Sequence, residues 1–219
     1  MSIKNTFKQL YRLLPDPPST NYLYRTISPS PYDLIPNHAL IFDIGSKESK
    51  GSYVFGMPPA DAKVVCVDIA PGPDVDLVAD AHDLHMAKTS SVDLVVTVSV
   101  LEHVRYPSKV VAEIFRILKP GGVIYVSVPF VFPFHADPDD FWRFSYKGVL
   151  ILCEQFERID SGFNRGPAST MHHLLVHFLA MLFSFTAGHF TALMCTYSAG
   201  CCSGSSTLTS FWRSTRWPT

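Results

Sequence analysis

Short runs of β-branched residues, separated by turn and helix signals, constrain the fold of this chain more than any other feature. The strong runs are residues 39–44, 63–68, 92–98 and 122–128, with a weaker one at 75–79. Such nearly continuous apolar runs are typical of parallel strands buried on both faces. Residues 107–118 have apolar side chains at helical spacing, and a Pro-Gly-Gly turn leads into the next run. The alternation predicts an α/β fold with a doubly wound, mostly parallel sheet.

The flanks of this pattern carry weaker signals. Residues 146–153 predict a further helix and residues 156–160 an outer strand. Residues 1–36 form a separate N-terminal region, with an amphipathic helix over 3–14 and a proline-rich connector after it. That helix is expected to pack on the domain, with contact to a membrane surface as the alternative.

Composition narrows the class of protein. The chain has 219 residues and a formal net charge of -1, which suits one domain and argues against a nucleic-acid partner. Its five cysteines do not form the even pattern of a disulfide framework. Because no secretion signal is recognised at the start, we expect a cytoplasmic protein, with membrane association as an alternative that depends on the tail.

The chemical character changes after residue 165, the end of the predicted domain 37–165. Residues 166–219 form an apolar, Ser/Thr-rich tail whose charged residues are Arg213 and Arg216. Its 171–195 segment is a candidate for peripheral membrane contact, while a membrane-spanning helix and a packed or irregular tail stay open as alternatives. The histidines and cysteines of the tail match no zinc-ligand spacing, so we predict no metal site.

Acidic and small residues follow three successive predicted strands. In a doubly wound sheet, ligands bind outside the carboxyl ends of the strands. A glycine there lets the backbone approach a ligand, and a carboxylate can accept hydrogen bonds from ribose hydroxyls or an adenine amino group. Three such ends together favour a nucleotide-like ligand over three unrelated loop caps. The residues concerned are Asp43, Gly45 and Ser46, then Asp68, then Asp80 and Ala81.

Residues 41–162 resemble the class I S-adenosylmethionine-dependent methyltransferases, particularly the type-11 group. The matching motifs are Asp43-Ile44-Gly45-Ser46, Asp68, Asp80-Ala81, Val100-Leu101-Glu102-His103-Val104, Leu118-Lys119-Pro120-Gly121-Gly122 and residues 135–144. The resemblance implies a Rossmann-like methyltransferase fold and S-adenosyl-L-methionine as the cofactor. It places cofactor contacts at Asp43, Gly45, Ser46, Asp68, Ile69, Asp80, Ala81, Ser99 and Leu101.

Two departures from the family pattern leave a second function open. Lys47 and Ser49 stand where the family has glycines, and no final antiparallel strand pair is recognisable in the tail. We therefore expect an atypical terminus whose removal after about Gly166 leaves the domain stable. The alternative to an enzyme is a catalytically inactive, methyltransferase-like binding or scaffold protein, and a membrane-associated lipid or quinone methylase is a third hypothesis.

The catalytic and substrate residues are expected after the fourth and fifth strands. His103 and His135 are the candidate bases, although for His103 the pattern favours positioning of the loop that packs on the cofactor. Asp140 and Arg143 are expected to bind the substrate, or Arg143 to form an internal pair with Asp139 or Asp140. The expected acceptor is a small molecule or a glycan, and the sequence predicts no particular oligomeric state.

Overall fold

The computed structural model describes residues 30–46, 57–136, 138–163, 167–184 and 206–215. The predicted helix at 3–14, the two departures Lys47 and Ser49, and residues 185–205 of the tail lie outside these described residues. The described chain begins with a short 3-10 helix, Pro31–Leu34, whose first turn is capped by the Ser30 side chain.

Seven strands form one mixed sheet. They are β1 (Leu40–Ile44), β2 (Lys63–Asp68), β3 (Leu77–Val78), β4 (Val92–Val98), β5 (Leu118–Val131), β6 (Phe156–Phe163) and β7 (Ser206–Ser214). Their order across the sheet is β3-β2-β1-β4-β5-β7-β6. Strands β1 to β5 are mutually parallel, and β7 runs antiparallel to both of its neighbours. The Rossmann-like methyltransferase fold and its five parallel strands are thus confirmed.

Strand β7 corrects the prediction for the tail. The prediction that the final antiparallel pair is missing is wrong, because β7 lies between β5 and β6 and is hydrogen-bonded to both. Leu208, Phe211 and Trp212 are each at most 3% exposed and pack into the core. Removal of residues after Gly166 would therefore separate β6 from the sheet, which argues against a dispensable terminus. The polar Ser and Thr residues of β7 interrupt the continuous apolar run by which the other strands were predicted.

Three α-helices are present in the described part of the chain. They are α1 (Pro107–Ile117), α2 (Tyr146–Leu152) and α3 (Pro167–Ser184). The first two confirm the predicted helices, and α1 begins with a proline in its first turn, where no backbone N–H is needed. Among the described residues, no helix has the length and apolar character required to cross a membrane.

The sheet is buried on both faces, as its apolar strands require. Along β5, Ile124 and Val126 belong to one core cluster, whereas Val123 and Tyr125 belong to the other. Helix α1 covers the first face, and the 3-10 helix covers the second. The strand order reverses between β1 and β4, and open α/β sheets bind ligands in the crevice outside the carboxyl ends of the strands at such a switch point.

Candidate functional site

The loop after β1 packs directly on the loop after β4, and Gly45 makes this possible. Gly45 has a φ of +82°, and its N–H donates to the carbonyl of Val67 at 2.7 Å. A Cβ added to it would lie 2.3 Å from Val100 Cγ2. Both the backbone conformation and the contact therefore require glycine at this position.

Buried polar groups hold the same loop from below. The Ser46 hydroxyl donates to the Asp43 carbonyl at 3.2 Å, and both residues are at most 3% exposed. Asp43 also affects Tyr32. Burial and, to a smaller extent, the negative charge of Asp43 raise the pKa of the Tyr32 hydroxyl well above its ordinary value. Two predicted cofactor residues, Asp43 at the end of β1 and Ser46 in the loop after it, are thus buried where this loop begins.

The end of β2 presents a carboxylate beside an exposed apolar side chain. Asp68 Oδ1 accepts a hydrogen bond from the Ala70 N–H at 3.0 Å, and the Asp68 carbonyl accepts one from the Ala79 N–H at 2.8 Å. Ile69, the next residue, is 60% exposed. An acceptor for hydroxyl groups and an apolar surface side by side suit the ribose and base of a nucleoside.

The end of β3 contains a residue that the sequence analysis missed. Asp80 Oδ1 accepts hydrogen bonds from the backbone N–H of His82 at 2.9 Å and from its ring at 2.6 Å. The other ring nitrogen of His82 accepts from the Tyr106 N–H at 3.3 Å, which links this loop to the start of α1. Burial alone would raise the pKa of Asp80. The hydrogen bonds from His82 have the larger combined effect, so the pKa of Asp80 lies below its ordinary value. The sequence did contain a signal for His82. It follows Asp80 by two residues, a spacing at which an Asp side chain commonly accepts a hydrogen bond from the backbone.

An arginine on α1 holds the remainder of this loop. Arg116 forms a paired contact with Glu113, with Nη2 donating to Oε1 at 2.6 Å and Nε to Oε2 at 2.9 Å. Its guanidinium also donates to the carbonyls of Leu84 and Ala87. The loop after β3 therefore has a fixed position relative to α1.

The predicted cofactor residues after β4 have different environments. Ser99 adopts a positive φ of 53°, and its N–H donates to the Ser127 carbonyl at 2.9 Å. The side chain of Leu101 lies in the core cluster beneath the site, as does that of Ala81 in the loop after β3. Those two side chains serve packing, and a cofactor contact through their backbone atoms stays a prediction.

The two candidate bases lie together, although 32 residues separate them in the chain. The rings of His103 and His135 meet edge to face, with centroids 4.8 Å apart. His103 Nδ1 donates to the Asp139 carbonyl at 2.5 Å, so Nε2 keeps its lone pair. This bond joins the loop after β4 to the loop after β5, which is the positioning role that the sequence analysis kept open.

A buried carboxylate completes this group. Glu102 is fully buried, and neither of its carboxylate oxygens has a hydrogen-bond partner among the described residues. Its Oε1 lies 3.9 Å from His103 Nε2. Burial raises the pKa of the Glu102 carboxyl to about 8, and nearby polar groups, including Arg143, offset this only in part. We call Glu102, His103 and His135 the carboxylate–histidine cluster.

Arg143 and Asp140 form an internal pair beside this cluster. Arg143 Nη1 lies 2.5 Å from Asp140 Oδ1, and Nη2 donates to Oδ2 at 2.7 Å. Arg143 also donates to the carbonyls of Phe132 and Pro133, each at 2.9 Å. The contact with Arg143 lowers the pKa of Asp140 to about 2. Of the two alternatives for the partner of Arg143, the structure has Asp140, while a substrate contact stays a prediction.

Comparisons with known proteins agree with this architecture. Residues 42–126 match a family profile described as a methyltransferase domain. A 74-residue segment is 36% identical to the thiol S-methyltransferase TMT1B of Homo sapiens, and covers 34% of this chain and 28% of that protein. The chain thus spans under a third of the length of this curated relative.

Solved structures with the same fold extend the likeness beyond that segment. A 1,6-didemethyltoxoflavin-N1-methyltransferase of Burkholderia thailandensis, solved with its acceptor and S-adenosylhomocysteine, has a TM-score of 0.54 at 15% identity. That match covers 81% of this chain and 72% of the other. A methyltransferase of Methanosarcina mazei matches with a TM-score of 0.51 at 17% identity, covering 86% and 98%.

The fold, the order of the strand-end residues and the matched profile agree with one another. The strand-end motifs named from the sequence lie at the carboxyl edge of a sheet whose fold is similar to that of these structures. Residues 42–126 therefore match the methyltransferase-domain family, within a chain that has the Rossmann-like methyltransferase fold.

Proposed function

We propose that this protein transfers the methyl group of S-adenosylmethionine to a small-molecule or glycan-type acceptor. The observation that carries the proposal is the set of residues at the carboxyl ends of the strands around the switch point. On one side lie a glycine loop, the Asp68 carboxylate and the exposed Ile69. On the other side lie two neighbouring imidazoles. Cofactor and acceptor would thus meet between the loops after β1 and β4.

The residues of the first three loops suit the cofactor. Gly45 brings backbone close to the crevice, Asp68 can accept hydrogen bonds from ribose hydroxyls, and Asp80 can accept one from an adenine amino group. When bound, S-adenosylmethionine supplies an already electrophilic methyl group. The protein therefore has mainly to align a nucleophile and to exclude water.

The loops after β4 and β5 suit the acceptor. His103 Nε2 keeps a lone pair that can take a proton from an acceptor hydroxyl, thiol or amine. Burial lowers the pKa of His135, which keeps this imidazole neutral at physiological pH. Phe134, Phe141 and Trp142 are exposed around the same loop, 80%, 44% and 44% respectively. An aromatic rim favours a flat acceptor. The Burkholderia structure contains bound 1,6-didemethyltoxoflavin.

Calorimetric titration of the full chain with S-adenosylmethionine and with S-adenosylhomocysteine tests the cofactor site. We expect binding that weakens at least tenfold in Asp68→Ala, because a charged hydrogen-bond acceptor is worth about 1.5–3 kcal/mol. Asp61→Ala is the matched control, since Asp61 is exposed at the opposite end of β2 and should bind normally. Equal affinities in the two variants would contradict the assigned site.

Release of S-adenosylhomocysteine in the presence of thiols, phenols, aromatic amines and glycans then tests transfer. We expect one class of acceptor to support turnover. His103→Ala removes the proposed proton acceptor, so kcat for that class should fall about 10²–10⁴-fold. A folded protein that binds both cofactor forms and releases no product with any class would favour the binding or scaffold alternative. Lys47 and Ser49, in place of family glycines, are the sequence features in its favour.

A further inference from the structure

The carboxylate–histidine cluster contains an unexplained feature, the buried carboxylate of Glu102. An ionised carboxylate in an apolar interior is costly unless a cation or several hydrogen-bond donors face it. Glu102 is fully buried, and both of its oxygens are without a hydrogen-bond partner among the described residues. An ionisable side chain lies close to it, since His103 Nε2 is 3.9 Å from Glu102 Oε1.

The two imidazoles are held as metal-ligating histidines usually are. Such histidines donate one ring N–H to a backbone carbonyl or carboxylate, which leaves the other nitrogen for the ion. His103 Nδ1 contacts the Asp139 carbonyl at 2.5 Å, and His135 Nδ1 contacts the Pro133 carbonyl at 3.1 Å. Arg143 Nη2 also lies 3.4 Å from His135 Nδ1, but both of its protons are used by Pro133 and Asp140.

One ligand atom from each of the three residues lies within 4.8 Å of the others. A point equidistant from atoms that are 3.9–4.8 Å apart is about 2.3–2.8 Å from each, against zinc–nitrogen bonds of about 2.1 Å. A contraction of about half an ångström would thus bring all three into coordination. The histidine side chains are 13% and 27% exposed, so the site is open to solvent on their side.

We propose that Glu102, His103 and His135 bind a divalent first-row transition-metal ion such as Zn²⁺. Two imidazoles and one carboxylate suit zinc, iron or cobalt, whereas Mg²⁺ prefers ligands that are all oxygen. Three protein ligands leave a further coordination position open. That position faces the acceptor loops, where it could hold an acceptor hydroxyl or thiol, a role that rests on the proposed function. The binding of the ion does not rest on it.

The inference assigns the His103 Nε2 lone pair to the ion rather than to a substrate proton. It also explains why no sequence motif predicted a metal site here. Glu102 and His103 are adjacent, but the third ligand follows 32 residues later on another loop, so the spacing matches no familiar zinc pattern.

Titration of the metal-free full chain with Co²⁺ alone, without cofactor or acceptor, tests the site. Visible d–d absorption reports coordination, and a near-ultraviolet thiolate charge-transfer band would report binding by cysteine instead. We expect one equivalent of Co²⁺ to bind with d–d bands and without the thiolate band. Zn²⁺ should compete for it and raise the melting temperature, and Mg²⁺ should do neither.

Three variants and two controls make the test specific. Glu102→Gln, His103→Asn and His135→Asn should each weaken Co²⁺ binding at least tenfold. Glu102→Gln keeps the shape of the side chain and cannot ionise, so it guards against misfolding, which circular dichroism checks. His85→Ala and His177→Ala, outside the cluster, should bind Co²⁺ as the unchanged protein does.

Three results would overturn the proposal. They are the absence of saturable Co²⁺ binding, binding with full affinity in folded Glu102→Gln and His135→Asn, and a thiolate charge-transfer band that accounts for the bound ion. Cofactor binding and S-adenosylhomocysteine release are measured separately, without added metal. Failure of the metal site is thereby distinguished from failure of the proposed function.

Discussion

The two halves of the crevice are built by different means. On the cofactor side, the proposed site residues lie at the strand ends themselves, as with Gly45 directly after β1 and Asp68 at the end of β2. On the acceptor side, the long loop between β5 and α2 is held by contacts with distant residues. The cofactor side depends on backbone conformation at single positions, whereas the acceptor side depends on a buried polar network.

Two arginines show the same difference. Arg116 and Glu113 lie one turn apart on α1, with side chains 30% and 17% exposed. Arg143 and Asp140 have the same spacing without a helix, and the carboxylate is 2% exposed. The helix positions the first pair, whereas the second pair itself positions the loop that contains it. Loss of the second arginine should consequently cost more.

The largest effect is expected where cofactor and acceptor loops touch. Gly45→Ala should destabilise the protein by about 3 kcal/mol or more, because a positive φ costs about 1–2 kcal/mol and the overlap with Val100 adds to it. Urea denaturation measures the loss, and calorimetry should show cofactor affinity reduced at least tenfold.

Gly121→Ala is the matched control for this prediction. Gly121 has a φ of +76°, but a Cβ there would meet no atom within 4 Å, so only the conformational cost of about 1–2 kcal/mol applies. The double variant Gly45→Ala/Val100→Ala should recover part of the cofactor affinity. Equal losses in the two glycine variants would mean that the contact with Val100 has no energetic role.

Exchange of each arginine for lysine compares the two pairs directly. Arg143→Lys should reduce the free energy of unfolding by about 2 kcal/mol, because a buried carboxylate loses a two-point contact. Arg116→Lys should cost about 1 kcal/mol or less, since its pair is more exposed. Urea denaturation of both variants at neutral pH checks the order, and the reverse order would contradict the comparison.

A smaller effect is expected from the residue that the sequence analysis missed. His82→Ala removes a hydrogen bond to Asp80 and the acceptor for the Tyr106 N–H, so the loop after β3 should loosen. We expect cofactor affinity to fall roughly threefold to tenfold by calorimetry, in line with about 1 kcal/mol for one hydrogen bond. His85→Ala, on an exposed neighbour, should leave the affinity unchanged.

The smallest effect concerns acid stability on the cofactor side. The hydrogen bond from Arg116 lowers the pKa of Glu113. Its contribution is therefore complete above the unfolded pKa and is lost as the pH falls through the lowered folded value. The stability difference between the unchanged protein and Glu113→Gln should shrink between about pH 5 and about pH 3, by at most about 1 kcal/mol. A difference that stays constant in urea denaturation across this range would contradict the assignment.

The sequence by itself determined the strands β1, β2, β4 and β5, the helix α1, and the place of Asp68 at a strand end. These features depend on local patterns, because β-branched runs and helical spacing express themselves within a few residues. The residues of the cofactor side could accordingly be named before the fold was known.

Only the tertiary structure decided the rest. In the sequence, β7 belongs to a Ser/Thr-rich tail. Its pairing with β5 and β6 in the structure identifies it as a strand. Arg143 had two candidate carboxylates, and loop geometry selected Asp140. Glu102 lies beside His135 because the His103 ring reaches the Asp139 carbonyl, 36 residues away. Contacts of this range arise from packing and chain closure, which no local pattern encodes.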